Sequence, residues 1–188
     1  MSIQDQIESL EKELAEKKSK LTELRGDNPR QPIKDFTFFD HDNQEVHLSD
    51  LFGNREELIL IFNMGKGCPY CTLWADGYNG LTQHLENRAA FVVASPDTPD
   101  VQKEFSVSRK WKFRMVSHSN ADFCKELGFY ADHSYQPGVA TFTKDEEGKV
   151  FLRAKTYFGP GDNFCIMWNF IDMLPESEKE WVPKYEYK

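Results

Sequence analysis

The stretch Leu58-Ile59-Leu60-Ile61-Phe62-Asn63-Met64-Gly65-Lys66-Gly67-Cys68-Pro69-Tyr70-Cys71 decides the reading of this chain. Its first five residues are apolar without polar alternation, which suits a strand covered on both faces at the centre of a sheet. Its end is a close cysteine pair opening a helical pattern, with Leu73, Trp74, Tyr78, Leu81 and Leu85 on the periodic positions as far as about Asn87. Gly77 and Gly80 lower that helix's propensity and allow a kink or close packing. A second buried strand, Ala90 to Ala94, follows.

Working outward, Thr98-Pro99 reads as an N-cap with proline at the first helical position, leading a helix to about Lys110. Phe113 to Val116 is a short strand, and Asn120 to Leu127 a short helix closed by Gly128. The loop Phe129 to Gln136 shows no pattern. Val139 to Thr143 and Val150 to Phe158 form a hairpin across Lys144 to Gly148, and Asn163 to Leu174, capped by Asp162, is a closing apolar helix. Upstream, Phe36 to Phe39 and Glu45 to His47 form a small hairpin, and Ser49 caps a helical turn carrying Leu51 and Phe52. A parallel βαβ unit joined to an antiparallel ββα unit gives an α/β fold, with a mixed sheet flanked by helices.

Ile3, Ile7, Leu10, Leu14, Leu21 and Leu24 step by four and three, with Lys17 at the interrupted position. They predict one long N-terminal helix that either packs on its own body or pairs with a second copy. Gly26 to Pro32 breaks it. The expected division is residues 1–32 as helix and linker, 33–175 as the main domain, and 176–188 as a loose polar tail, unless Trp181, Tyr185 and Tyr187 dock it.

The chain has 188 residues, 39% of them hydrophobic and 15 of them Phe, enough for one packed core. With 23 basic against 31 acidic residues the net charge is −8, so nucleic acid and anionic membranes are poor partners. The start lacks an apolar signal region and no run approaches the roughly 20 apolar residues of a membrane helix, so a cytoplasmic location is expected. Cys124 and Cys165 sit singly in apolar helical patterns and read as small core residues.

Cys68 and Cys71 can carry chemistry. A thiol at a helix N-terminus lies beside unpaired N–H groups and the positive end of the helix dipole, which lowers its pKa from about 8.5. Lys66 adds positive charge nearby, and Pro69 occupies the first turn, where its missing N–H costs little. Cys68 is then the attacking thiolate and Cys71, one turn in, the resolving thiol. The same pair can be half of a zinc site or an inert core pair; no second Cys-x-x-Cys is present, and His84 and His118 lack ligand spacing. No cofactor or metal is expected. Pro137, just before a strand, is either a cis proline placed beside the active site or a trans proline ending a loop. Gly159-Pro160-Gly161-Asp162 can hold an anion or simply cap a helix.

Gly67-Cys68-Pro69-Tyr70-Cys71 resembles the thioredoxin superfamily, and Cys-Pro-Tyr-Cys is the glutaredoxin motif. Together with the long N-terminal helix, Leu48-Ser49-Asp50-Leu51-Phe52, Ala75-Asp76-Gly77, Ala94-Ser95-Pro96, Pro137-Gly138-Val139 and Ile171-Asp172-Met173-Leu174-Pro175, it resembles, over nearly the whole chain, a bacterial family of thioredoxin-like proteins predicted to be dithiol-disulfide oxidoreductases. The resemblance implies a thioredoxin-like sheet, Cys68 and Cys71 as the redox couple, and Lys66, Pro69, Tyr70 and Pro137 as supporting residues. An oxidised protein or small-molecule disulfide would be the substrate and a thiol the reductant. Peroxiredoxins share the order of elements but place proline and threonine ahead of their reactive cysteine, where this chain has Met64-Gly65-Lys66-Gly67; a weak thiol peroxidase is therefore an alternative. Thioredoxin has a tryptophan before its first cysteine and a buried acid in the preceding strand, where this chain has Gly67 and an acid-free Leu58 to Asn63. The third reading is a non-catalytic adaptor assembling through its N-terminal helix, as a homodimer in the simplest form.

Overall fold

The structure is a computed structural model that describes residues 2–118, 121–174 and 181–187. Helix α1 (Ile3–Asp27) begins with a reciprocal cap: the Ser2 hydroxyl accepts from Asp5 N–H, and Asp5 accepts from Ser2 N–H. None of its side chains is buried. Strand β1 (Gln31–Pro32) follows, then the hairpin β2 (Thr37–Phe39) and β3 (Glu45–His47), and a 3₁₀ turn over Leu48–Phe52. The centre of the chain runs β4 (Glu57–Phe62), α2 (Pro69–Arg88), β5 (Ala90–Ser95), α3 (Pro99–Arg109), β6 (Arg114–Ser117) and α4 (Asp122–Leu127). A two-strand hairpin, β7 (Tyr130–Ala131) and β8 (Ser134–Tyr135), leads to β9 (Gly138–Lys144), β10 (Val150–Tyr157) and α5 (Ile166–Asp172).

The main sheet has the order β1-β10-β9-β4-β5-β6-β2-β3. Strands β4, β5 and β6 are parallel, and β9, β10, β1, β2 and β3 join them antiparallel. The apolar run Leu58 to Phe62 is the central strand because helices and loops cover both of its faces, leaving only Ile59 of the five half-buried. On one face Phe38, Phe62, Phe123, Phe129 and Phe142 form a buried aromatic cluster, with Phe62 and Phe129 stacked at 4.0 Å. On the other, Trp74 and Tyr78 of α2 pack with Ile61, Phe91, Phe113 and Phe158. Each large apolar side chain so buried contributes about 1.5–3 kcal/mol. The parallel strands all end on one edge of the sheet, and the cysteine loop leaves β4 at that edge. Among the described residues, no helix is long and apolar enough to cross a membrane.

Several local expectations change. Ser49 does not cap the 3₁₀ turn; Asp50 accepts from His47 N–H, while Ser49 donates to Asp35 through both its N–H and its hydroxyl. Thr98 is the N-cap of α3 but makes no side-chain cap bond. The linker is not all irregular, since Gln31 and Pro32 pair with Phe151 and Leu152 at the sheet edge. The patternless 129–136 segment holds a tight hairpin turned by Asp132 and His133, both at positive φ. Helix α2 runs unbroken through Gly77 and Gly80, and nothing packs against either glycine. Asn120 lies outside the described residues. The closing helix is only Ile166–Asp172 with Cys165 as its cap, and it buries none of its residues. Asp162 instead ties the preceding turn, accepting from the N–H groups of Gly159, Phe164 and Cys165.

Candidate active site

The Cys-x-x-Cys motif sits where β4 ends and α2 begins. Cys68 has extended dihedrals and is the N-cap of α2, Pro69 is the first helical residue, and Cys71 lies in the first turn. The position is local physics: the first turn's N–H groups have no helical partner, and the Cys71 N–H points its hydrogen at Cys68 Sγ, 3.1 Å away. The backbone of Cys68 is fixed by its N–H donating to Gly65 O at 3.1 Å, and by Thr72, which bonds Cys68 O through both N–H and hydroxyl. Cys68 is half-buried, Cys71 is buried, and neither is in a disulfide.

The two thiols divide their acidities. Hydrogen bonding from the Cys71 side chain, joined by the backbone N–H groups of Cys71 and Tyr70, brings Cys68 down to about 7 against the opposing effect of burial. Cys71 moves up, because its thiol donates to Cys68, because it is buried, and because the Cys68 charge repels a second one. Only one thiolate forms at a time, on the more accessible sulfur. The two lone cysteines are pushed up by burial, Cys124 to about 12, and both are core residues as expected.

Residues that the sequence reading passed over hold the loop ahead of the motif. Buried Asn63 accepts from Gly65 N–H at 2.8 Å, and Met64 N–H points at Cys71 Sγ from 3.5 Å. Asp97, just beyond β5, accepts from Lys66 N–H at 2.7 Å, and its carbonyl takes the Ser117 hydroxyl at 2.6 Å. Gly65 has φ +98, and a Cβ there would stand 2.9 Å from the Asp97 carboxylate oxygens. This glycine is thus required twice, by its backbone and by the acid beside it. Asp97 stands just beyond the end of β5, where no local sequence pattern marks it.

Lys66 takes part through its backbone; its side chain is exposed, and the lowering of Cys68 comes from hydrogen bonds. Tyr70 packs between Trp74 and Trp168, with ring centroids 6.3 and 6.1 Å away, and Trp168 meets Trp181 of the C-terminal segment. That segment also offers its Tyr185 carbonyl as acceptor to Arg109, which is paired with Asp76. Burial pushes the Tyr185 phenol up. The tail thus docks through Trp181 on Trp168, whose ring also meets Tyr70 of the motif. Of the two forms left open for Pro137 the structure has the trans one, as all described peptide bonds are trans. The register Phe62 with Gly138 still sets Pro137 opposite Asn63, at the end of β4 that carries the cysteine loop, and its carbonyl accepts from Phe158 N–H. The ladder to β10 continues through it without a reversal, so the backbone has no need of the cis form. Among the described residues, no three His, Cys, Asp or Glu are grouped to hold a metal, and Cys68 and Cys71 lack the further ligands a zinc site needs.

The mixed sheet flanked by helices, with the Cys-x-x-Cys pair at the N-terminus of the helix after the central strand, is a thioredoxin-like fold. Within that class, the chain belongs to the family described as "Bacterial protein of unknown function (DUF899)", which matches residues 3–187. No curated protein matches it. Among solved structures it is similar to peroxidoxin BcpB from Mycobacterium tuberculosis, at 22% identity and TM-score 0.54, over 64% of this chain and 80% of that one. A cysteine-to-serine mutant of Xylella fastidiosa PrxQ aligns with TM-score 0.58 at 17% identity, over 77% of this chain and 95% of that one. An uncharacterized conserved protein from Geobacillus kaustophilus aligns with TM-score 0.54 at 14% identity, covering 72% of this chain and 70% of that one. At these identities the likeness concerns the fold.

Proposed function

We propose that the protein is a thiol-disulfide oxidoreductase working through Cys68 and Cys71. The observation that carries this is the unequal pair: a half-buried thiol brought to about 7 by its neighbour, with that neighbour held protonated one turn away. Cys68 thiolate attacks a disulfide R–S–S–R′, forming Cys68–S–S–R and expelling R′–S⁻, which takes a proton. The negative charge beside Cys71 is then gone, and with it much of what kept Cys71 protonated. Cys71 gives up its proton and attacks Cys68 Sγ, expelling R–S⁻ and leaving the Cys68 to Cys71 disulfide. A thiol reductant returns two electrons and two protons to close the cycle.

Tyr70, Trp168 and Trp181 form an aromatic wall beside the dithiol, which suits an oxidised peptide or small molecule with an apolar flank. Pro69 stiffens the first turn and keeps the Cys71 N–H aimed at Cys68. Pro137 supports the loop from the neighbouring strand in its trans form.

The test is trapping with Cys71→Ser, in which the mixed disulfide has no resolving thiol. Incubation with a disulfide-bonded reporter peptide should give a stable Cys68 adduct by mass, and the parent protein should turn the peptide over with dithiothreitol as donor. A protein that forms no adduct and leaves the peptide oxidised would be an adaptor. Faster consumption of hydrogen peroxide than of the peptide, with Cys68 becoming a sulfenic acid, would make it a thiol peroxidase.

A further inference from the structure

Helix α1 leaves its apolar stripe uncovered: Ile3 is 77% and Leu14 66% exposed, and Ile7, Leu10, Leu21 and Leu24 are exposed as well. Its base is nevertheless fixed, because Arg153 of β10 donates to the carbonyls of Gly26 and Asn28, and Asn28 returns a bond to Arg153 O. A helix anchored at one end with six large apolar side chains in water requires a cover.

The residues specify which cover. In heptad terms Ile7, Leu14 and Leu21 are a positions and Ile3, Leu10, Lys17 and Leu24 are d positions. The charges are split along the rod. Residues 3–16 carry five acids and one base, net −4, while residues 17–27 carry four bases and two acids, net +2. Two parallel copies would set acid half on acid half, Lys17 against Lys17 in one core layer, and Lys20 beside Arg25 on the flank. Two antiparallel copies in the register 7 with 24, 10 with 21 and 14 with 17 give six mixed layers. Lys17 then faces Leu14, and Glu11 meets Lys18 while Glu13 meets Lys20, each pair occurring twice by symmetry.

The same register brings residue 3 of one copy level with residue 28 of the other. At that end of α1 lies an apolar cavity of about 550 Å³ lined by Ile59, Leu81, Leu85 and Phe164, with Arg25 and Arg153 also in its wall. The second copy's Ile3 and Ile7, with Asp5 and Glu8, match it in hydrophobicity and in charge. We infer that α1 pairs antiparallel with α1 of a second copy, each N-terminal turn covering the cavity at the base of its partner's helix. The two active sites then lie at opposite ends of the rod. The inference is independent of the redox reading.

Sedimentation of the full chain at micromolar concentration should give twice 21.9 kDa, and Leu14→Asp should halve that mass. Residue 14 is exposed in the single chain, so unchanged circular dichroism separates lost pairing from lost folding. Orientation is read by a nitroxide on Gln4→Cys in the Cys68→Ser, Cys71→Ser background, where the remaining thiols are buried. The antiparallel pair sets the two labels roughly 35 Å apart, as 23 residues at 1.5 Å each, against roughly 10 Å for a parallel pair. A monomer at every concentration up to 100-fold above the first, or a dimer indifferent to Leu14→Asp, would overturn the pairing. A short distance between labels would overturn its direction.

Discussion

Cys68 is the residue on which the proposed chemistry turns, and its acidity gives a sharp expectation. Its alkylation rate should rise with a midpoint near pH 7, where its thiolate forms, while Cys124 and Cys165 stay slow throughout. Mass-resolved labelling with iodoacetamide between pH 5 and 9 checks this. The same shift enters stability. An acid lowered in the folded protein contributes stability above its unfolded value of about 8.5 and loses it as pH falls through about 7. Stability of the reduced protein should therefore decline from pH 8 to pH 6 more in the parent than in Cys68→Ser. Guanidinium unfolding at the two pH values measures it. At Gly65, alanine must adopt φ +98 with its Cβ against the Asp97 carboxylate. Gly65→Ala should cost about 2 kcal/mol, or roughly 4–8 °C in Tm for a chain of this length, and slow Cys68 labelling as the loop shifts. The placement of the Cys68 and Cys71 pair was legible because its signals are local: a motif, a helix start and a strand end. Asn63 and Asp97 were not, because each acts by meeting a loop backbone that only the folded sheet brings to it.

Among the elements, β4, α2, β5 and the β9 to β10 hairpin could be read directly, since their periodicity and turn residues agree with their burial. Helix α5 could not. Phe164, Ile166, Met167, Phe170, Met173 and Leu174 look like a core-facing pattern, but several of them stand in solvent, and apolarity alone does not say which partner covers it. The isomer of Pro137 was open for a similar reason, as the ladder on either side of it decides. That ladder supplies the element-scale prediction. Gly138 sits in β9 where a Cβ would run into the Phe129 ring and the Thr156 carbonyl. Gly138→Ala should destabilise by about 1–3 kcal/mol, with no change in the Cys68 midpoint if the disturbance stays in the hairpin. Thermal unfolding and pH-dependent labelling read the two effects separately.

For the whole molecule, the proposed pairing would link stability to association through α1. Because none of its side chains is buried in the single chain, the body gains nothing from its apolar stripe unless a second copy is present. Tm should then rise with protein concentration, by mass action on the folded partner, and Leu14→Asp should remove that dependence while leaving the low-concentration Tm in place. Differential scanning at two concentrations a hundredfold apart is sufficient.

The main sheet ends on one side in a strand of two residues, one of them Pro32, and on the other in a strand of three. A sheet margin is a template for any unfolded chain with free amide and carbonyl groups, and its hazard grows with its length. Here proline withholds a donor from one margin, but β1 pairs with β10 only at Phe151 and Leu152, so among the described residues Ala154 to Tyr157 have no strand beside them on that side. The strand that leads into the Cys-x-x-Cys loop, β4, is held between β9 and β5 and offers no free ladder to another chain.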